Sequence, residues 1–247
     1  MAKTSPDSRE GLAYRYADTL ERIREQTERY NRPDGSVRLI AVSKQHSAEA
    51  VAAVARLGQT DFGENYVQES LAKIRAVAAM LGSDSSPLPL VWHFIGHIQS
   101  RKCRDIAETF DWVHTIDSEK VARRLDTYRA DKAPLQSLIQ VNLQDEPGKS
   151  GISADRIGDL AALVDSLPNL ELRGLMAIPR PQTEFSLQRD VFRQMRELLE
   201  HHRCRHGRMD QLSMGMSDDM EAAISEGATL IRVGTAVFGP RTINQST

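Results

Sequence analysis

A lysine that ends one strand and a pair of small-residue turns near the other end of the chain are the groups best suited to do chemistry. Lys44 closes the apolar run VRLIAVSK at 37–44, which sets its amine at the C-terminal mouth of a strand. Residues 212–241 read LSMGMSDDMEAAISEGATLIRVGTAVFGPR. Ser213, Gly215 and Ser217 open an amphipathic run there, while Arg232, Gly234 and Thr235 lie in and just after the strand-like TLIRV. Backbone N–H groups, hydroxyls and a helix start can then converge on one phosphate. A glycine two residues after Arg232 lets the backbone approach an anion while the guanidinium reaches the ligand. An amine and a phosphate cradle on strand ends of one sheet suit a phosphorylated carbonyl compound held as a Schiff base. The ordinary alternatives are a solvated surface lysine and a helix cap made by Ser217 with Asp218 and Asp219. The cap explains the serine but not the pairing of Arg232 with Gly234.

Other polar residues also fall at strand ends. FGENY at 62–66 supplies Glu64 and Asn65, and HFIGHIQSRK at 93–102 supplies His93 and Gln99; in a barrel such groups share one mouth, whereas an open sheet spreads them out. EPGKSG at 146–151 imitates a phosphate-binding P-loop, but Leu143 stands where the first glycine is required, so Lys149 is either a loop charge or a second amine at the pocket edge. HHRCRH at 201–206 is contiguous and dispersed around a helix end, and His93 and His97 lack the HExxH context. No metal is expected.

Short apolar runs alternate with helical patterns through the chain. Leu12, Tyr16, Leu20 and Ile23 predict an amphipathic helix at about 8–30, followed by eight strand–helix units at about 37–240. Eight units favour closure into a (β/α)8 barrel, and 247 residues match the ~250 typical of that α/β fold, so 1–247 is expected to form one domain. The formal charge of -2, from 32 basic and 34 acidic side chains, gives no driving force for nucleic acid or an anionic membrane. Cys103 and Cys204 are too few and too distant for a disulfide framework, and the N-terminus lacks a signal-peptide core, so a cytoplasmic setting is expected.

The segments AVSK, FGENYVQE, WHFIGHIQSRK, VHTIDS, GKSGI, GLMAI and LSMGMSDDMEAAISEGATLIRVGTAVFG together resemble the pyridoxal 5′-phosphate homeostasis proteins over nearly the whole chain. That family is similar in fold to the N-terminal barrel of alanine racemase, the fold type III group. The resemblance implies that Lys44 carries pyridoxal phosphate as a Schiff base, that Asn65 borders the ring, and that Ser217, Gly234 and Thr235 hold the phosphate with Ser213 and Met214 nearby. Arg232 then corresponds to the arginine facing the pyridine nitrogen, which would weaken the ring as an electron sink. Two departures stand out: KQHS replaces the relatives' KTKP after the lysine, placing His46 where a second lysine is usual, and HFIGHIQ replaces HFIGPLQ, adding His97.

The implied role is a monomeric, non-catalytic protein that buffers, protects or supplies pyridoxal phosphate, with apo forms of pyridoxal phosphate enzymes as partners. One alternative is a racemase, disfavoured because such enzymes take a second base, a tyrosine, from a C-terminal β-domain that a chain ending at Thr247 is not expected to carry. A second alternative is a Schiff-base aldolase on a phosphorylated sugar.

Overall fold

The computed structural model describes residues 9–82, 89–144, 146 and 148–240; most of the stretch GSDSSPLP at 82–89, whose composition predicts a loop, lies outside them. Among these residues eight strands pair in parallel and in sequence order: β1 (Arg38–Val42), β2 (Asp61–Glu64), β3 (Val91–Phe94), β4 (Trp112–Ile116), β5 (Leu135–Gln140), β6 (Leu170–Met176), β7 (Gln211–Ser213) and β8 (Leu230–Val233). Leu39 of β1 pairs with Ile231 of β8, and that contact closes the barrel. The strands are buried nearly throughout, as a parallel sheet must be when helices cover its outer face and side chains fill its interior.

The helices are α1 (Arg9–Arg29), α2 (Ala48–Arg56), α3 (Val67–Leu81), α4 (Cys103–Thr109), α5 (Glu119–Arg129), α6 (Ile157–Asp165), α7 (Phe185–Arg203), α8 (Met220–Ser225) and the single turn α9 (Thr235–Phe238). The helical stretch after β5 divides into a 3-10 turn, Ala154–Arg156, and α6. The main core lies between helices and sheet, with Phe62, Phe94, Phe110 and Phe192 fully enclosed. Ile40, Trp112, Leu138, Met176 and Leu230 make a second, small cluster inside the barrel.

In α1 the buried stripe is Leu12, Tyr16, Thr19, Ile23 and Thr27, whereas Leu20, expected on that face, is 40% exposed. The spacing of four, three, four and four keeps to one face better than a stripe through Leu20 does. The two buried hydroxyls remain satisfied, Thr19 donating to the Arg15 carbonyl at 2.9 Å and Thr27 to that of Ile23 at 2.7 Å. Helix α1 buttresses the end of the barrel that matters for function. Its Arg15 donates to the carbonyls of Val237 and Phe238 at 3.2 and 3.0 Å, filling the C-terminal end of α9. Arg29 and Tyr30 both donate to Glu221 of α8, at 2.7 and 3.0 Å.

Candidate functional site

The strand ends at the C-terminal mouth enclose a cavity of about 190 Å³ lined by Lys44, Asn65, Ser217, Arg232, Gly234 and Thr235. Val42, His46, Ile95, Ile178 and Met216 complete its lining. Residues 173 positions apart in sequence, Lys44 and Ser217 among them, are therefore brought together because β1, β7 and β8 are consecutive around the closed sheet.

Lys44 sits in a turn anchored from both sides. Ser43 and Gln45 flank it, and Gln45 has φ 63, a left-handed conformation that costs a non-glycine residue ~1 kcal/mol or more. Glu69 Oε1 accepts the Gln45 backbone N–H at 2.6 Å. Beneath the turn the buried Lys73 amine donates to the Ser43 carbonyl at 2.6 Å and to Glu64 Oε1 and Glu69 Oε1, each at 2.7 Å. Ser43 Oγ also donates to Glu64 Oε1 at 2.7 Å. Three side chains from two elements, Glu64 of β2 and Glu69 and Lys73 of α3, thus hold the backbone on either side of Lys44. Glu64, expected at the mouth, is instead turned into this cluster with no exposed surface; burial pushes its carboxyl above the usual range against the opposing pull of Lys73.

The opposite wall depends on close backbone approach. Gly215 has φ 92, and a Cβ there would stand 2.5 Å from Ala223 Cβ; its carbonyl accepts the Arg232 N–H at 3.1 Å and ties the turn after β7 to β8. A Cβ on Gly234 would meet the Val42 carbonyl at 3.2 Å, so this glycine lets the turn after β8 lie against the end of β1. Asp219, not Ser217, is the cap of α8, and its Oδ1 accepts the Met216 N–H at 2.6 Å. That correction leaves the Ser217 side chain on the cavity wall. Arg232 is 4% exposed; Nη1 donates to Ser213 Oγ at 2.6 Å and Nη2 to the Ala177 carbonyl at 2.9 Å. Among the described residues no carboxylate pairs with it directly, and burial lowers its pKa to about 10 despite the field of Asp219.

A second cavity of about 280 Å³ adjoins the first and shares Asn65, Ile95 and Ile178 with it. His97, Gln140, Lys149 and Ser150 line its far side, with Ser150 Oγ 3.0 Å from His97 Nδ1 and Lys149 paired to Glu146 at 2.5 Å. A larger cavity of about 990 Å³ lies outside the barrel beside α1 and α2, but it contains neither Lys44 nor the turns around Ser217 and Thr235.

The donor set fits pyridoxal phosphate group by group. An aldehyde needs a primary amine, a phosphate dianion needs hydroxyls and open backbone, and a pyridine nitrogen that stays unprotonated needs a cationic donor; the mouth supplies Lys44, then Ser217, Thr235 and Gly234, then Arg232. Asn65 Oδ1, buried with no hydrogen-bond partner among the described residues, adds an acceptor to the cavity lining. Two residues expected beside the cofactor do not line the cavity. Met214 is fully buried in the helix-facing core, and Ser213 lies behind Arg232 as its hydrogen-bond acceptor. His93 is not at the mouth either; it is enclosed inside the barrel against Asp61 and His114. Lys73, Asp61 and His114 escaped the reading of the sequence, although each is a polar residue among neighbours that bury the same face, such as Ser70 and Val77 around Lys73.

Charge-assisted hydrogen bonds are worth ~1.5–3 kcal/mol each, so Ser217→Ala and Thr235→Val are each expected to weaken pyridoxal phosphate roughly tenfold or more. Unphosphorylated pyridoxal should be held almost as before. Equilibrium titration with the two aldehydes checks this, and equal losses for both would place these hydroxyls away from the phosphate.

The alanine racemase N-terminal domain family matches residues 19–242. The chain is 46% identical over 231 residues to the pyridoxal phosphate homeostasis protein of Escherichia coli K12, covering 93% of this chain and 97% of that one. It is 48% identical over 231 residues to the protein of the same name from Pseudomonas aeruginosa, with 93% and 96% covered. Among solved structures, PipY of Synechococcus elongatus PCC7942 is similar without pyridoxal phosphate (TM-score 0.79) and with it bound (TM-score 0.77), at 35% identity over 92% of this chain and all of PipY. Alanine racemase from Clostridium difficile shares the barrel alone, at TM-score 0.63 and 10% identity over 57% of its length.

Proposed function

The chain belongs to the pyridoxal phosphate homeostasis protein family, and from that premise we propose that it holds pyridoxal phosphate reversibly at the barrel mouth through Lys44 and releases it to other proteins. One observation carries the reading: amine, phosphate donors and a buried guanidinium line a single cavity. Ser217, Gly234 and Thr235 take the phosphate, Arg232 and Asn65 the ring, and Ser213 acts from behind the arginine. Met214 contributes through the core that supports the turn after β7. Pyridoxal phosphate supplies an electrophilic aldehyde, and the protein's part is to bind it, orient it and shield it from stray amines.

A buffering role without turnover suits these groups. A guanidinium opposite the ring nitrogen gives it no proton, which leaves the ring a weak acceptor of carbanion charge. The whole chain then acts as one cofactor-binding unit, a monomer of the cytoplasm whose partners are apo-enzymes. Among the described residues no helix is long and apolar enough to cross a membrane.

Protein loaded with pyridoxal phosphate and mixed with excess apo-enzyme is expected to restore that enzyme's activity, in the presence of a trap for free cofactor if handover is direct. No recovery over hours, with the adduct still on Lys44, would leave sequestration in place of supply. Proton exchange at Cα of alanine in deuterated water is expected to stay far below ordinary enzyme rates of ~1–1000 per second, and exchange at such rates would establish a catalyst.

A further inference from the structure

Behind the cavity wall a file of buried polar groups crosses the barrel. His93 Nε2 lies 3.0 Å from Asp61 Oδ1, His93 Nδ1 lies 2.9 Å from His114 Nε2, and His114 Nδ1 lies 2.8 Å from Ser213 Oγ, the oxygen that accepts from Arg232. Both imidazoles and Ser213 have no exposed surface. The positions of the protons follow by elimination. Asp61 is ionised: burial opposes its charge, but the His93 contact, the Thr60 hydroxyl at 2.7 Å and Arg38 at 3.4 Å outweigh that and hold its carboxyl below the usual range. Burial drives both histidines towards the neutral form, His114 the further because His93, Arg232 and Arg38 add to it. A neutral imidazole has one N–H and one lone pair. His93 must give its proton to Asp61, so His114 gives its Nε2–H to His93, and Ser213 gives its hydroxyl to His114. The lone pairs of Ser213 are left for the guanidinium, and every donor in the file points from Arg232 towards Asp61.

We propose that Asp61, His93 and His114 are positioning residues for Arg232, acting through Ser213, and that this one-way chain ties a buried cation at the mouth to a carboxylate at the far end of the barrel. The reason for the indirect link is electrostatic. Asp61 is the first residue of β2 and lies at the N-terminal side, whereas Arg232 lies near the C-terminal end of β8 on the cavity wall. A carboxylate bonded directly to Arg232 would set a negative charge beside the phosphate site, where the low dielectric makes repulsion costly. Aligned neutral dipoles bring the stabilisation across without that charge, and they fix the arginine's direction, which a lone ion pair does not. This rests on the reading of Arg232 as the group facing the ring.

The test combines side-chain ¹⁵N NMR with ligand binding on the full-length protein. In the wild type, with or without pyridoxal phosphate, His93 and His114 are expected to stay neutral and protonated on Nε2 throughout the range in which ordinary histidines titrate. Asp61→Asn keeps the shape but removes the charge that sets the direction, so an Nδ1-protonated form of His114 should appear. Pyridoxal phosphate and unphosphorylated pyridoxal should weaken by the same factor, about tenfold, the order known for outer partners of metal ligands, and the visible band of the bound chromophore should move. Ser213→Ala cuts the file at its last link and is expected to give the same matched loss should Asp61→Asn fail to fold. A charged or Nδ1-protonated ring in the wild type overturns the proposal, as does a folded variant whose affinities and spectrum equal those of the wild type. Wild-type protein that takes up no pyridoxal phosphate overturns instead the cofactor reading on which the ligand arm depends, while the NMR arm still decides the direction of the chain.

Discussion

Lys44→Ala protein, mixed with pyridoxal phosphate and reduced with borohydride, is expected to carry no covalent adduct at the barrel mouth, where the wild type carries one. The loss should be complete because the other amines near the mouth are otherwise placed. Lys73 is buried under the turn with three acceptors around its amine. Lys149 faces the second cavity and pairs with Glu146, and Lys102 lies 3.6 Å from Asp105 and lines neither cavity at the mouth. Pyridoxal phosphate should still bind without a covalent bond, since Ser217, Thr235 and Arg232 remain. The variant solution therefore keeps a weakened affinity but loses the imine absorption band. Peptide mass mapping of the reduced protein is the check. A fixed adduct on Lys149 or Lys102 in the wild type would move the carbonyl chemistry out of the first cavity and sink the assignment to Lys44.

The barrel was legible because a parallel sheet covered by helices leaves a strong trace: short apolar runs, each followed by a helical pattern, repeated until the sheet closes. Helix α3 carries such a pattern, with Val67, Val77 and Leu81 on its buried face. The mouth was legible as well, since Lys44, Asn65, Ser217, Arg232, Gly234 and Thr235 stand at the ends of strands or in the turns that follow them, and barrel topology alone brings such positions together. What lay hidden were side chains whose partners come from distant strands. His114 reads as one polar residue in WVHTI, and only closure of the sheet sets it between His93 and Ser213. Glu64 reads as a mouth acid because its strand ends there, yet the amine of Lys73, nine residues on and one helix turn past Glu69, draws it under the Lys44 turn. A periodic pattern of apolar residues selects Leu20 over Thr19, although a hydroxyl bonded to the preceding turn is buried at little cost.

That cluster also carries the largest expected change in stability. Lys73→Met removes the one cation bonded to Glu64 among the described residues while filling similar space, and breaking a buried pair in this way costs about 3–5 kcal/mol because a carboxylate stays buried without its partner. The effect must depend on pH, and its sign follows from Glu64. Burial already raises this carboxyl in the folded protein, and without Lys73 the opposing pull is gone, so its folded pKa rises further above the unfolded value of ~4.3. A carboxyl raised by folding binds its proton more tightly in the native state, so it does not penalise folding below the unfolded pKa. The penalty grows as pH rises towards the folded pKa and is complete above it. Denaturant unfolding of the variant should accordingly show a small deficit in acid and the full deficit in mild alkali. Glu64→Gln added to Lys73→Met should restore much of the loss, because a neutral amide needs no counter-charge. Under acid conditions where the single variant is still folded, it should also form the Lys44 adduct more slowly than the wild type. Ser43 and Glu69 will have lost the amine that joins them, and Glu69, which accepts from the left-handed Gln45 beside Lys44, will be held by one contact fewer. A variant as stable as the wild type at every pH would mean that water reaches Glu64 freely and that the turn carrying Lys44 is anchored by something other than this ion cluster.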